Sequence, residues 1–160
     1  MKVVVDSTPL IALSLIDKLS LLREIFTEII VPKSVFEEVA ILGEGRPGSE
    51  EVKSATWLTV SEPQDRGPLP PSLLGLHTGE MDVILLAKEL DADYAIIDER
   101  LGRRVAKALG LKVKGTLGVL LAAYQSGLIS REEAEKIVEE LANSFIRIRP
   151  LLVKWFRSQL

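Results

Sequence analysis

The N-terminal stretch MKVVVDSTPL, residues 1–10, decides the fold class of this 160-residue chain. Val3–Val5 is a β-branched run that is too short for a helix, which predicts a buried strand. Asp6 ends that strand, and Ser7-Thr8-Pro9 is typical of the first turn of a helix, where a proline is tolerated. A short strand that leads directly into a helix indicates a βαβ unit, in which a helix joins two parallel strands.

Short apolar runs alternate with helical patterns along the rest of the chain. Further strands are predicted at residues 29–31, 94–98, 111–114 and, at the edge of the sheet, 145–149, and residues 57–60 are predicted to be a strand or an extended arm. Residues 61–79 are rich in proline and glycine, which predicts a long functional or mobile loop. The alternation predicts the α/β class: one three-layer α/β/α domain over residues 1–160, with a mostly parallel central sheet. Residues 128–160 are expected to form a C-terminal extension of helices and a strand.

The composition restricts the chemistry that is available. Asp and Glu number 23 against 20 Lys and Arg, a net charge of −3, which argues against binding of nucleic acid by bulk positive charge. The chain has no cysteine and one histidine, His77, which excludes disulfides, thiolate zinc sites and multi-histidine metal sites. Catalysis is therefore expected from carboxylates. No apolar run approaches the roughly 18 residues of a membrane span, so a cytoplasmic protein without a membrane partner is expected.

Two of the predicted strands end directly in an acid, Asp6 and Asp98. Ligand sites of parallel α/β sheets form outside the carboxyl ends of the strands. If these two strands are neighbours, the two carboxylates lie side by side and repel each other unless a cation intervenes. Each acid alone is also explained as the N-cap of the following helix. The occurrence of both favours a functional site.

Two predicted helices supply further acidic candidates. Glu38 lies on the predicted buried face of its helix, where an unpaired acid is costly, whereas Glu37 is explained as a capping-box residue. Glu80 and Asp82 open a long apolar helix, and at least one of them is expected to join the carboxylates at the strand ends. His77, just before that helix, is predicted to be a loop residue.

Together these motifs resemble the PIN domain, a family of metal-dependent ribonucleases that includes the VapC toxins of prokaryotic toxin–antitoxin pairs. The resemblance covers residues 2–127 and points to a branch known mainly as uncharacterised prokaryotic proteins. The motifs that carry it are Asp6-Ser7, Val31-Pro32 with Glu38-Val39, Gly79-Glu80-Met81-Asp82, Ile97-Asp98-Glu99-Arg100 and Gly115-Thr116-Leu117-Gly118. It implies an acidic quartet formed by Asp6, Glu38, Asp82 and Asp98, with Glu80 replacing or assisting Asp82.

Typical family members have Thr, one residue and then Asp after the fourth strand, whereas this strand runs straight into Asp98-Glu99. Glu99 is therefore an alternative to Asp98. Carboxylates without cysteine select Mg²⁺ or Mn²⁺ over Zn²⁺, and no organic cofactor is expected. Asp6 and Asp98 are expected to hold the central ion, with Glu38 and Asp82 or Glu80 completing the shell or orienting water. The resemblance implies an endoribonuclease of the VapC type that hydrolyses single-stranded RNA.

A basic helix face is predicted next to Asp98. Its members recur at i, i+3, i+4 and i+7: Arg100, Arg103, Arg104 and Lys107. This face is predicted to contact RNA phosphates. It is also explained as a solvated face paired with glutamates, or as a docking site for the acidic tail of an antitoxin protein. The family resemblance further implies a homodimer.

Two other functions fit parts of the same pattern. The first is a PIN-like scaffold without metal that only binds RNA or a protein. The second is a phosphotransfer domain with an aspartyl acceptor, which also uses an acid at the end of a parallel strand. Phosphatases of that class have a second Asp two residues later, where this chain has Thr8. Receiver domains have an acidic pair at the end of the first strand, where Asp6 stands alone.

Overall fold

Five parallel strands form the centre of the computed structural model, which describes all 160 residues. The strands are β1 (Lys2–Val5), β2 (Glu28–Pro32), β3 (Thr59–Ser61), β4 (Tyr94–Ile96) and β5 (Val113–Lys114). Their order in the sheet is β3-β2-β1-β4-β5, and every neighbouring pair is parallel. The three valines of β1 are fully buried because this strand is central and both faces of the sheet are covered.

Helices connect the strands and cover the sheet. They are α1 (Ser7–Leu15), α2 (Leu21–Ile25), α3 (Lys33–Phe36), α4 (Ser49–Ser54), α5 (Thr78–Glu89), α6 (Arg100–Ala108), α7 (Thr116–Gln125), α8 (Arg131–Ala142) and α9 (Pro150–Ser158). A π-helical turn, Glu37–Leu42, continues α3, and a 3₁₀ turn occupies Pro71–Leu73. Helices α3, α5 and α6 pack together as one layer, and α1, α2, α7 and α8 as the other. The predicted α/β/α fold is confirmed. None of the helices has the length and apolar character that crossing a bilayer requires.

The strand order brings the ends of β1 and β4 together. Val5 lies opposite Ile96, and the backbone N–H of Asp6 donates to the Ile96 carbonyl over 3.0 Å. From β1 the chain continues to β2 on one side of the sheet, whereas from β4 it continues to β5 on the other side. Such a switch point is where parallel α/β proteins bind their ligands. Asp6, directly after β1, therefore lies at the position where a site is expected.

The edge strand predicted at residues 145–149 is wrong, because the sheet ends at β5. These residues form an irregular connection between α8 and α9. Their alternation is nevertheless real: Ile146 and Ile148 are half-buried, and Arg147 and Arg149 are exposed. An alternating pattern reports which side chains are buried, and it does not report whether the backbone finds a strand to pair with.

Candidate active site

Five carboxylates from four segments of the chain meet at the carboxyl ends of β1 and β4. This acidic cluster consists of Asp6, Glu38, Glu80, Asp98 and Glu99. Asp6 is near its centre, because the charges of the Glu38, Asp98 and Glu99 carboxylates all act on it. The sequence predicts four of the five directly and Glu99 as the alternative to Asp98. The cluster is thus built where the strand order places a binding site.

The carboxylate of Asp6 is both a helix cap and a member of the cluster. Its Oδ1 accepts the backbone N–H of Ser7 over 2.8 Å at the start of α1, so the capping explanation also holds. Asp6 is only 4% exposed. Burial raises its pKa to about 6, against the hydrogen bond from Ser7, and the charges of Glu38 and Asp98 raise the pKa further. The protein therefore holds a carboxylate that is costly to ionise in the absence of a cation.

Glu80, in the first turn of α5, is the second buried acid of the cluster and is 8% exposed. Burial is the main cause that raises its pKa to about 7, followed by the charge of Asp6 and by the charge and hydrogen bonding of Glu99. Glu99 itself caps α6 by accepting the backbone N–H of Gly102 over 2.9 Å. The charge of Glu99 therefore disfavours ionisation of the neighbouring Glu80 carboxyl.

Asp98 is held by one residue, Thr116, at the start of α7. The Thr116 backbone N–H donates to Oδ1 over 2.7 Å, and its hydroxyl donates to Oδ2 over 2.5 Å. Burial raises the pKa of Asp98, and the two hydrogen bonds from Thr116 and the charge of Arg103 oppose that increase. Sequence reasoning did not assign a site role to Thr116. The available signal was the pair Gly115-Thr116 between a strand and a helix, beside the carboxyl end of the sheet.

The prediction that Glu38 faces the core is wrong, because its side chain is exposed at the rim of the cluster. The helix widens into the π-helical turn at Glu37, so the 3.6-residue periodicity that placed Glu38 on the stripe of Val35 does not continue. The predicted capping box is also absent. Glu37 instead lies 4.0 Å from the ammonium of Lys33, an exposed ion pair.

Asp82 is not part of the acidic cluster. Both of its oxygens accept hydrogen bonds from the guanidinium of Arg66, the Nη2–Oδ2 distance being 3.1 Å, and Oδ2 also accepts the Ser34 hydroxyl over 2.6 Å. Its carboxylate is 1% exposed and already compensated. Residues two positions apart on a helix project in nearly opposite directions, so only one of Glu80 and Asp82 faces the cluster. The structure places Glu80 there.

Three glycines let the backbone approach the carboxylates closely. A methyl group at Gly102 would lie 3.0 Å from Oε2 of Glu80, and one at Gly115 would lie 2.7 Å from Oδ1 of Asp98. A methyl group at Gly79 would lie 3.6 Å from Glu38 Oε1. A side chain at Gly102 or Gly115 would crowd the carboxylates, whereas the distance at Gly79 is an ordinary van der Waals contact.

Gly115→Ala is expected to weaken the binding of a divalent cation to the cluster by about tenfold or more, because the new methyl group displaces Asp98 from Thr116. Gly118→Ala is the matched control, since its methyl group meets only the Lys114 side chain at 3.5 Å. Mn²⁺ binding in calorimetry and circular dichroism of both variants check the prediction. A Gly115→Ala protein that binds Mn²⁺ as tightly as Gly118→Ala would contradict a role of the Asp98 carboxylate in holding the cation.

The donor set of the cluster fits a hard divalent cation. All five side chains offer carboxylate oxygens, and none of the five forms an ion pair within 4 Å; the ion pairs of the chain lie elsewhere. His77 is exposed before α5 and is not part of the cluster. No three of the acids stand in a coordination arrangement, and Asp98 forms hydrogen bonds with Thr116. Oxygen donors of this type suit Mg²⁺ or Mn²⁺, which Asp6, Glu80 and Asp98 would hold.

The four basic residues predicted to contact RNA lie on α6 beside the cluster. Arg100, Arg104 and Lys107 are exposed, and Arg103 is half-buried with Nη1 donating to the Ile97 carbonyl over 2.9 Å. None of the four forms an ion pair with an acid within 4 Å, so the glutamate pairs expected for a merely solvated face are absent. Arg100, Arg104 and Lys107 therefore place positive charge without a paired acid beside the cluster, whereas the charge of Arg103 acts on Asp98.

Without metal, the protein is expected to be less stable at pH 8 than at pH 5. The pKa values of Asp6 and Glu80 are about 6 and about 7, above their ordinary values of 3.8 and 4.5, so the folded state binds more protons than the unfolded state between about pH 4 and 7. The free energy of unfolding therefore falls as the pH rises through this window, by about 1–3 kcal/mol. Urea unfolding in EDTA at pH 5, 6, 7 and 8 measures the trend. A flat or rising profile would show that the two carboxyls ionise freely.

The protein is thus a parallel α/β domain with a cluster of carboxylates at the switch point of its sheet. A family model for the PIN domain matches residues 2–160. The chain therefore belongs to the PIN domain family, as the sequence motifs predicted. PIN domains have a nuclease-type fold, generally bind nucleic acid and typically use divalent metal ions. No curated protein matches this chain.

Proposed function

We propose that this protein is a metal-dependent endoribonuclease that hydrolyses phosphodiester bonds of single-stranded RNA at the acidic cluster. One observation carries the proposal: five carboxylates meet at the switch point of the sheet without a cation in contact. Buried acids with raised pKa values are typical of functional sites. Membership of the PIN family supports phosphodiester hydrolysis as their use.

Asp6, Glu80 and Asp98 are the residues that would hold Mg²⁺ or Mn²⁺, with Glu38 and Glu99 at the edge of the cluster. A bound ion of this type lowers the pKa of water and neutralises charge on the leaving oxygen. The chain contributes the positions of the donors: Ser7 fixes Asp6 Oδ1, and Thr116 fixes both oxygens of Asp98. Glu38, exposed at the rim, is suited to orient a water molecule toward the phosphate.

The basic face of α6 is proposed to hold the RNA backbone beside the cluster. Arg100, Arg104 and Lys107 are exposed and lack acidic partners, so they are available to phosphate oxygens. Local positive charge of this kind binds RNA although the net charge of the chain is −3. Replacing the three residues by glutamate is expected to weaken RNA binding and to reduce the dependence of that binding on salt concentration. Unchanged binding and salt dependence would remove this face from the proposal.

A cleavage assay with end-labelled single-stranded RNA tests the nuclease. We expect cleavage in Mg²⁺ or Mn²⁺, none in EDTA, and products that carry a 5′-phosphate. Asp6→Asn is expected to remove cleavage, whereas Asp17→Asn, an exposed acid outside the cluster, serves as the matched control. Cleavage that survives in EDTA or in Asp6→Asn overturns the proposal.

The finer proposal is a cytoplasmic toxin of the VapC type that is restrained by an antitoxin protein and acts as a homodimer. Its support is the resemblance of residues 2–127 to the PIN domain family, which includes the VapC toxins. Induced expression is expected to arrest bacterial growth, and Asp6→Asn to relieve the arrest. Sedimentation of the purified protein tests the homodimer. Normal growth at a high level of active nuclease would contradict the toxin assignment.

The second candidate is a PIN-like scaffold that binds RNA or a protein without cutting RNA. One observation favours it: no three acids stand in a coordination arrangement, and Thr116 already satisfies both oxygens of Asp98. The scaffold predicts no binding of Mn²⁺ in calorimetry and RNA binding that Asp6→Asn leaves unchanged. The nuclease predicts that Mn²⁺ binds and that Asp6→Asn weakens this binding.

A further inference from the structure

A groove of about 840 Å³ leads away from the acidic cluster along α6. Asp98, Glu99 and Thr8 line the groove at the cluster. Strand β5 and one face of α7, from Thr116 to Gln125, also line it. The remaining lining comes from residues 146–155, named here the C-terminal segment, which comprises the connection after α8 and part of α9. The groove is therefore bounded by α6 and by a segment whose Trp155 and Phe156 are expected, from the sequence alone, to pack on the sheet or to form a dimer face.

Positive charge comes from the C-terminal segment as well as from α6. Seven basic residues line the groove: Arg100, Arg103, Arg104, Lys107, Lys114, Arg147 and Arg149. None of them forms an ion pair within 4 Å. The only acids in the lining are Asp98 and Glu99, which belong to the cluster. A groove with this charge on a protein of net charge −3 is complementary to a polyanion.

The C-terminal segment also supplies an exposed aromatic surface. Trp155 lines the groove and is 44% exposed, and Leu152 beside it is exposed as well. An indole next to unpaired arginines is the combination with which proteins bind single strands, because every base has a face that can stack. Bases within a duplex are already stacked on one another and are closed to such contact. A single strand therefore fits the groove better than a duplex, and better than an acidic peptide without rings.

We propose that the C-terminal segment is the second wall of a groove for single-stranded nucleic acid, with Arg147 and Arg149 contacting phosphates and Trp155 stacking on a base. The inference rests on the proposed function, since it makes the acidic cluster the place where the bound strand is cut. It assigns part of substrate binding to a segment that lies about fifty residues after the last carboxylate of the cluster.

The test measures binding of fluorescent single-stranded RNA by anisotropy in the Asp6→Asn background, where the strand stays intact. Arg147→Ala with Arg149→Ala is expected to weaken binding about tenfold or more and to reduce the slope of log K against log salt by about 1.4, or 0.7 for each phosphate contact. Arg157→Ala, an exposed arginine of α9 outside the groove, is the matched control. Trp155→Ala is expected to weaken binding about tenfold, and Trp155→Phe to restore most of it.

Intrinsic fluorescence gives a second measurement. The chain has two tryptophans, so Trp57→Phe leaves Trp155 as the only reporter, and RNA is expected to quench it. The inference is overturned if the variants of the C-terminal segment bind RNA as tightly as Arg157→Ala does. It is also overturned if polyglutamate displaces the labelled RNA at a lower concentration than unlabelled RNA does. If Asp6→Asn loses cleavage while the segment variants bind normally, the groove fails and the nuclease stands. If the segment variants lose binding but the native protein cuts no RNA, the groove stands and the nuclease fails.

Discussion

Asp6→Asn is expected to abolish metal-dependent RNA cleavage and to make the metal-free protein more stable. The amide keeps an oxygen that accepts the Ser7 N–H, so the cap of α1 survives. The substitution removes a buried carboxyl group whose pKa is raised to about 6 by burial and by neighbouring acids. Above pH 6 the ionised carboxylate lowers stability, and its removal is expected to contribute about 1–3 kcal/mol. Cleavage is expected to fall on the order of 100-fold or more, because a ligand of the cation is lost.

Cleavage kinetics with Mn²⁺ and thermal unfolding at pH 8 in EDTA measure the two effects. A gain of 1 kcal/mol corresponds to a rise in Tm of about 2–4 °C for a chain of this size. Asp17→Asn, on the exposed turn after α1, is the control and is expected to change neither quantity. An Asp6→Asn protein that unfolds at lower temperature than the native protein would contradict the view that Asp6 is an uncompensated charge.

Glu80→Gln and Asp82→Asn are expected to have opposite consequences although the two residues share one helix. Glu80 belongs to the cluster, so Glu80→Gln is expected to lose cleavage, again about 100-fold, without loss of stability. Asp82 is paired with Arg66, so Asp82→Asn is expected to keep most activity and to cost about 1–3 kcal/mol. The cost stays below that of a fully buried pair because Arg66 is 46% exposed and can return to water.

Cleavage rates and urea unfolding of both variants separate the two roles. Arg66→Ala is the companion variant, because it leaves the Asp82 carboxylate buried with only the Ser34 hydroxyl as a partner. It is expected to destabilise the protein at least as much as Asp82→Asn. If Asp82→Asn lost cleavage at unchanged stability, Asp82 would belong to the cation site after all.

The fold was open to prediction because its signals are local. Asp6 directly follows the valines of β1, and Asp98 lies two positions after the end of β4. Parallel strands place such acids at the same edge of the sheet. Asp6 and Asp98 were found in this way. The two acids needed no knowledge of distant residues, since strand direction alone set their position.

The choice between Glu80 and Asp82 could not be made in the same way. Both open the same apolar helix, and what distinguishes them is Arg66, in an irregular stretch whose position no periodicity describes. Helical periodicity predicts a buried Glu38, whereas the π-helical turn exposes its side chain. The Arg66 contact and the π-helical turn both depend on the folded structure, and the local residue pattern does not predict either of them.

The central position of β1 also sets an order of events while the chain is synthesised. This strand comes before its neighbours in the chain, yet one of them in the sheet, β4, ends only at Ile96. Val3–Val5 are therefore without their second partner until residue 96 has been synthesised, and unpaired apolar strands tend to associate with other chains. Asp6 gains the last of its companions only with Asp98 and Glu99, and residues 146–155 come later still. A site proposed to cut RNA is thus assembled from segments that are synthesised far apart in time.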